Sequence, residues 1–592
     1  MKLSILALDY DGTIATDAGV DPDVRAAIAQ ARTSGITVLL VTGRILSELR
    51  RAAGDLHFVD GVVAENGAVV HFPDSDHTSV LAPRVAPPLV SGFEAERLSF
   101  RAGECLIDAD AADGQRLLSV IRRLELPYVL VFNRGRVMVM PQGVSKATGL
   151  QAALEMLRLS PRNTLAIGDA ENDHELLRLS ELGAAVKWGS PALRGVADAV
   201  VAGESPRDTA AYIRALATTD HLPLPGRARR SLRLGHTEDG REFSLAVKGR
   251  NVLVAGDAKS GKSWIAGLLC EQLILHGYCV CVLDPEGDYR SLEALPGVTV
   301  LGGEDPPPTP RELLRALRYP DRSVVIDLSR LPQDEKIAYI RAALPAVNQM
   351  RRRTGLPHRI LLDEAHYFLQ EAEAQHLLDF ERNGYTVVTF CASRLPPKLL
   401  AATEVMIVTC ESNHEELDAL YRRCQPCQTR IDNAAWRKLL CHVGVGQAVA
   451  LPITEEAGGE LRLFNIGQRL TPHVRHREKY VDVPVTEQKG FLFTAPAPPA
   501  RARTLREFVT VLETQPTDSL KGHLQRRDFS RWIAEVFGDR ALAAEIRDQE
   551  QRYVSGIDGD IIPEIVSAIR GRYDLTDDEE GPRAAAADAR AA

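Results

Sequence analysis

Over the first 215 or so positions, short apolar runs alternate with longer stretches in which Ala, Leu and Arg recur at helical spacing. The runs LSILALDYD, TVLLVTG and TLAIGD are apolar almost throughout, as expected of strands buried on both faces of a parallel sheet. A second alternation begins at NVLVAG (251–256) and continues through VCVLD, SVVIDLS, RILLDEA, TVVTFCA and VMIVTC. Both patterns predict α/β architecture, with two doubly wound parallel-sheet domains wrapped by helices. Pro, Gly and Arg interrupt the pattern at 218–235, and Pro and Ala at 486–503. The expected order is a first domain at 1–217, a linker at 218–235, a second domain at 236–485, a linker at 486–503, a small all-helical module at 504–577 and a disordered acidic, Ala-rich tail at 578–592. No internal repeat is visible.

A chain of 592 residues exceeds one ordinary core, in keeping with several units of about 100–200 residues each. Hydrophobic residues make up 45% and charged residues 26%, the balance of a soluble globular protein. No apolar run approaches the ~20 residues that cross a bilayer, and the start MKLSILALDYDG runs into acidic residues too early for a secretory signal. These features predict a cytoplasmic protein without a membrane partner. The nine cysteines are odd in number and partly embedded in apolar runs, which predicts reduced core thiols. Cys424 and Cys427 have a metal-like spacing, but no second ligand pair follows them. The net charge of −9 exerts no overall pull on nucleic acid.

The first predicted strand ends in Asp9-Tyr10-Asp11-Gly12-Thr13, so two carboxylates lie at the carboxyl edge of a parallel sheet, where such folds bind ligands. Gly12 lets the turning chain bring both toward one point. A carboxylate that attacks phosphorus needs its charge neutralised and a partner that protonates the leaving oxygen. Two aspartates and a divalent cation meet both needs.

Four segments in order, DYDGT (9–13), Thr42 in LLVTGR, Lys146 in GVSKATGL and GDAEND (168–173), resemble the motifs of the haloacid dehalogenase superfamily. That resemblance implies a phosphomonoesterase with Asp9 as nucleophile, Asp11 as general acid and base, and Thr42 and Lys146 holding the transferring phosphoryl group. It also implies Mg²⁺ held by Asp9, the Asp11 carbonyl and Asp169, with Asp173 completing the metal shell. An insertion at about 72–140 is long enough for a small α/β cap and resembles that of Cof-like, sucrose-phosphate and archaeal phosphoglycolate phosphatases. Caps of that type close over small phosphorylated metabolites, so the substrate expected is a sugar phosphate or a phosphoglycolate-like acid. Glu104, Asp108 and Arg134 fit equally well as solvated cap charges or as substrate contacts.

In the second domain the strand NVLVAG leads through Gly256, Gly261, Lys262 and Ser263 into the apolar stretch WIAGLLCEQLIL. This is the strand, loop and helix of a phosphate-binding loop, with glycine amides around the phosphates, Lys262 on the terminal phosphates and Ser263 on Mg²⁺. It predicts ATP as a second ligand. Asp363, at the end of RILLDEAHYF, suits a magnesium contact and Glu364 suits activation of the attacking water. VCVLDPEGDY and LLDEAH resemble the HerA/FtsK translocases, which implies a hexameric homo-oligomer in which neighbours supply an arginine. The pattern departs at FERNGYTVVTFCASRLPP, where Ser393-Arg394 replaces the family's glutamine and Arg382 and Arg394 are the local arginines. The basic segment RLTPHVRHREKY (469–480), with Arg469, Arg475, Arg477 and Lys479, could contact phosphate or pack on the domain surface. His523, Asp528, Phe529 and Trp532 in the C-terminal module have the spacing of a helical core. The preferred expectation is a metabolite phosphatase joined to an ATP-hydrolysing domain; the alternatives are a nucleic-acid machine whose phosphatase trims ends, and a nucleotide-gated scaffold.

Overall fold

The computed structural model describes residues 3–16, 19–133, 135–218, 230–247, 251–257, 260–369, 376–380, 382–424, 433–451, 461–472, 490–494, 500–537, 540–556 and 561–573. The first sheet has eight strands in the order Ala199–Val201, Leu182–Val186, Thr164–Gly168, Ile5–Asp9, Thr37–Val41, Gly61–Ala64, Val69–Phe72, His77–Val80. The first six are parallel and the last two antiparallel. Ile5–Asp9 is central and buried at every position, because helices cover both faces of the sheet. Its carboxyl end is therefore a rigid platform.

The cap is a separate four-stranded antiparallel sheet, in the order Tyr128–Asn133, Arg136–Pro141, Ile107–Asp110, Phe100–Ala102. Helices Pro87–Ala95 and Gly114–Arg123 pack on one face of it around Phe93, Leu117 and Val137. The cap starts later than position 72: Val69–Phe72 and His77–Val80 hydrogen-bond to the main sheet instead. Their apolar alternation reads the same in either sheet, and pairing alone assigns them.

The second sheet has eleven strands, with a parallel centre in the order Val405–Val408, Val252–Ala255, Tyr385–Thr389, Arg359–Leu362, Val280–Asp284, Ser323–Asp327, Val298–Gly302. Four antiparallel strands extend one edge, among them Ser231–Thr237, which occupies the end of the expected linker at 218–235. The two domains meet through buried polar contacts. Tyr278 donates to both carboxylate oxygens of Glu181, at 2.9 and 3.1 Å, and Arg230 pairs with the same carboxylate at 3.2 Å. His358 accepts from the Cys279 amide at 2.8 Å through Nδ1, so Nε2 donates to Asn163 at 3.0 Å. Burial and nearby arginines push the His358 pKa well down, which fits that neutral tautomer.

The C-terminal module is not purely helical. Phe491–Phe493 and Ala500–Ala502, within the expected hinge, form a hairpin whose Phe491 and Phe493 join Phe508, Phe529 and Trp532 in one core. His523 and Asp528 form a 2.9 Å pair inside this packing, as a structural role requires. Glu550 is buried here, accepting from the Phe529 amide at 3.1 Å, and burial pushes its pKa up to about 7. The folded pKa lies above the usual 4.5, so stability from the protonated form is full below pH 4.5 and is lost as pH rises to about 7. Glu550→Gln is expected to flatten that fall, as read by hydrogen exchange of the Asp528–Trp532 amides at pH 5 and pH 8. An unchanged pH dependence in the variant would show that another group is responsible.

All eight cysteines among the described residues are free. Cys427 and the tail at 578–592 lie outside those residues. Among the described residues, no helix is long and apolar enough to cross a membrane.

Candidate active site and nucleotide loop

Asp9 ends the central strand, and the chain then doubles back through Gly12, at φ +77°, with Ile14 and Ala15 amides both donating to the Tyr10 carbonyl. This turn places the Thr13 hydroxyl on the Asp9 carboxylate at 3.0 Å. Lys146 opens the helix Lys146–Leu157, held in place by a capping box between Ser145 and Thr148. Its ammonium reaches Asp9 at 2.6 Å and Asp173 at 2.7 Å, with all three side chains buried. The second oxygen of Asp173 accepts from the amides of Asp169 and Ala170 at 3.0 and 3.1 Å. The side chain of Asp173 thus organises the loop that carries Asp169.

Asp9, Asp169 and Asp173 each bring an oxygen within 4.8 Å of the others. Burial first, and then the Asp173 charge, push the Asp9 pKa up to about 7 against the pull of Lys146. One ammonium does not balance three buried carboxylates, so the cluster has room electrostatically for a further cation. Oxygen-only donors suit a hard divalent ion, and Mg²⁺ fits them.

The other expected residues are placed less directly. Thr42 follows Val41, the register partner of Asp9, and its hydroxyl accepts from the Arg44 amide at 3.1 Å. Asp11 lies apart from the three-carboxylate cluster and is gripped by the Arg44 guanidinium at 2.6 and 2.8 Å. Arg44 was not among the expected site residues, although it stands two positions after Thr42 in LLVTGR.

A cavity of about 280 Å³ joins Asp9, Asp11, Lys146 and Asp169 to the underside of the cap. The cap contributes Arg101 and Arg136, both paired with Asp108 at 2.5 Å, together with Asn133. Arg101 also reaches Glu48 of the main domain at 3.1 Å, tying cap to base. Asp108 thus lines the site, whereas Glu104 pairs with Arg84 away from it and Arg134 lies outside the described residues. At the cap hinge, buried Glu65 accepts from the amides of Glu104 and Cys105 at 3.0 and 2.8 Å. Glu65 and Asn66 take left-handed conformations before Gly67, where a Cβ would come within 1.9 Å of the Ser145 carbonyl. Asn66 in turn accepts from Asn172 at 3.3 Å.

In the second domain Val252–Ala255 runs into Gly256 and Gly261, at φ +147° and +105°, and Lys262 starts the helix Lys262–Leu275. Lys262 folds back onto the Asp257 carbonyl at 2.7 Å, and Ser263 donates to Asp288 at 2.8 Å. Asp284 caps the turn that carries Asp288, accepting from the amides of Gly287, Asp288 and Tyr289. Asp363 and Glu364 are buried at the end of Arg359–Leu362, on the same carboxyl edge, and the Glu364 carboxylate lies 3.6 Å from His366.

Arg469 is not a phosphate contact. Its side chain is fully buried against Glu271 of the loop's helix at 2.9 Å, and Arg475, Arg477 and Lys479 lie outside the described residues. Its isolated position in a basic segment concealed the buried carboxylate that pairs with it. Arg394 is exposed beside Ser393, whose hydroxyl donates to Glu416 at 2.5 Å, and Arg382 offers its carbonyl to Arg351.

Residues 6–88 and 91–210 match the model of the haloacid dehalogenase-like hydrolases. A phosphoglycolate phosphatase of Natronomonas pharaonis is 33% identical over 209 residues, covering 33% of this chain and 89% of that protein. The chain belongs to the haloacid dehalogenase-like hydrolase family. A phosphoglycolate phosphatase of Methanothermobacter thermautotrophicus is 29% identical over 219 residues, 35% of this chain and 96% of its own. A solved haloacid dehalogenase-like hydrolase of B. subtilis gives a TM-score of 0.32 at 18% identity, over 36% of this chain and 99% of that one. Residues 245–340 match the central domain of the helicase HerA. The hydrolase is therefore a phosphatase of this family joined to a HerA-like domain. Lys262 and Ser263 lie within the HerA match, and Asp363 and Glu364 lie beyond it.

Proposed function

We propose that the hydrolase domain removes phosphate from a small phosphorylated metabolite, a phosphoglycolate-like acid or a sugar phosphate, through an aspartyl-phosphate on Asp9. The observation that carries this reading is the buried cluster of Asp9, Lys146, Asp169 and Asp173 beneath a cap whose arginines face the same cavity. Asp9 attacks phosphorus as the bond to the leaving oxygen breaks, and Asp11 gives that oxygen its proton. Asp11 then takes a proton from the water that releases phosphate and restores the Asp9 carboxylate. Arg44 holds Asp11 beside the cavity until a substrate enters. Lys146 and the hydroxyl of Thr42 steady the phosphoryl oxygens. Mg²⁺, held by Asp9, the Asp11 carbonyl, Asp169 and Asp173, would supply positive charge to the phosphoryl group.

The cavity of about 280 Å³ suits a compact substrate and leaves little room for a nucleic-acid end. Arg101 and Arg136 are placed to take a carboxylate or hydroxyl of the leaving group in exchange for Asp108. Arg101→Ala is expected to raise KM about tenfold with kcat within about threefold, because the contact is the same in ground and transition states. Assays on phosphoglycolate and a hexose phosphate check this, and an unchanged KM on both would remove Arg101 from recognition.

The second domain is proposed to bind and hydrolyse Mg·ATP, with Lys262 on the phosphates, Ser263 on the metal and Glu364 orienting water. A HerA-like hexamer is the assembly proposed for it. Lys262→Ala is expected to lower the ATP hydrolysis rate at least about tenfold while leaving the phosphatase rate within about twofold. ATP hydrolysis that persists unchanged in Lys262→Ala would refute this assignment.

A further inference from the structure

Beside the buried polar contacts between the domains lies an open cleft of about 610 Å³, larger than the catalytic cavity. Five arginines line it: Arg158 of the hydrolase domain, and Arg311, Arg315, Arg318 and Arg353 of the HerA-like domain. Among the described residues, no carboxylate lines it. Arg158, Arg311, Arg315 and Arg318 make no ion pair among the described residues.

Helix ends alone do not account for this charge. Arg158 and Arg353 sit at the carboxyl ends of Lys146–Leu157 and Gln333–Thr354, where a cation is favoured. Arg311, in contrast, lies in the first turn of Pro310–Leu317, at the end that disfavours it. Arg311, Arg315 and Arg318 follow at i, i+4 and i+7 along one face, so they repel one another. The helix's own Glu312 is engaged with its cap residue Thr309 at 2.8 Å.

Two further observations point to a ligand. Ser4, 8% exposed, lines the cleft, and its hydroxyl has no hydrogen-bond partner among the described residues. Leu157, Leu314, Met350 and Leu356 supply an apolar wall beside the arginines. A volume in the range of ~300–1,000 Å³, an apolar wall and convergent cations describe a nucleotide-sized site. Ser4 and Thr37 stand at the amino ends of their strands, a strand length of about 16 Å from Asp9, so the cleft is separate from the phosphatase centre.

We propose that this cleft binds a nucleoside polyphosphate, with its phosphates on the arginines and its base against the apolar wall, so that one ligand bridges the two domains. Arg158 already lies 5.0 Å above the ring of Tyr319 in the other domain, and a bound polyanion would draw the two arginine sets together.

The test uses the full chain carrying Lys262→Ala to suppress the nucleotide loop, without divalent metal, titrated with a fluorescent nucleoside triphosphate. Saturable binding is expected, weakened at least about tenfold by Arg315→Glu with Arg318→Glu and kept within about threefold by the paired lysine substitutions. The glutamate pair should keep the parent's thermal midpoint, which reports folding. In the unsubstituted chain, inorganic tripolyphosphate should slow hydrogen exchange of helix Pro310–Leu317, a readout that needs no variant. The proposal falls if binding is absent, if the glutamate pair binds as the parent does, if that helix gains no protection, or if a single-stranded oligonucleotide displaces the probe better than tripolyphosphate.

Discussion

Asp9→Asn is expected to lower kcat on any phosphomonoester at least about 10³-fold, with no loss of stability. The amide keeps the shape of the side chain but cannot form the bond to phosphorus, and nucleophile removals are losses of this order or greater. Stability should hold because burial and Asp173 already disfavour the Asp9 charge, which sits at the end of a fully buried strand. A neutral side chain removes that penalty while Thr13 keeps an acceptor at the same position. A thermal midpoint at or above the parent's, alongside lost turnover, is the joint signature of a site that trades stability for chemistry. Lost turnover accompanied by a fallen midpoint would indicate unfolding instead.

Lys146→Met should damage both properties. Lys146 is 1% exposed and is the cation that holds Asp9 and Asp173 together. Its loss leaves buried carboxylates without a counter-charge, a change that typically costs about 3–5 kcal/mol. Removing a preorganised positive charge from a phosphoryl site costs a further ~10²-fold or more in kcat. Because the remaining oxygens are hard donors, millimolar Mg²⁺ should restore part of the thermal midpoint without restoring the rate. A variant as stable as the parent in the absence of metal would contradict this view of the cluster.

The candidate site at the edge of each sheet was legible because strand ends mark themselves. Apolar runs closing in Asp9, Asp169, Gly256 and Asp363 each predict a ligand-facing turn, and each lies at or just beyond a strand's carboxyl end. What sequence could not show depends on pairing across distance. Arg44 stands beside a recognised threonine, but only the fold brings it 33 positions back to Asp11. Arg101, Asp108 and Arg136 converge because three cap strands lie side by side, and nothing local distinguishes them from solvated charges. Arg469 read as surface-basic because its partner Glu271 lies 198 positions earlier. Phe491 and Phe493 sat next to a Pro/Ala-rich hinge, which hid their strand alternation.

The hydrolase and HerA-like domains are joined by buried polar contacts as well as by the chain itself. Glu181, Arg230 and Tyr278 fix the base of one sheet against the base of the other. The carboxyl edges that carry Asp9 and Lys262 are thus the edges opposite the contact.

The most direct measurement on the phosphatase is acid quench during turnover of a small phosphomonoester, followed by borohydride reduction and peptide mass spectrometry. An aspartyl-phosphate reduces to homoserine, so the account predicts homoserine at position 9 in the parent chain and none in Asp9→Asn. Turnover with no modification at Asp9, or with the label on another residue, would contradict it.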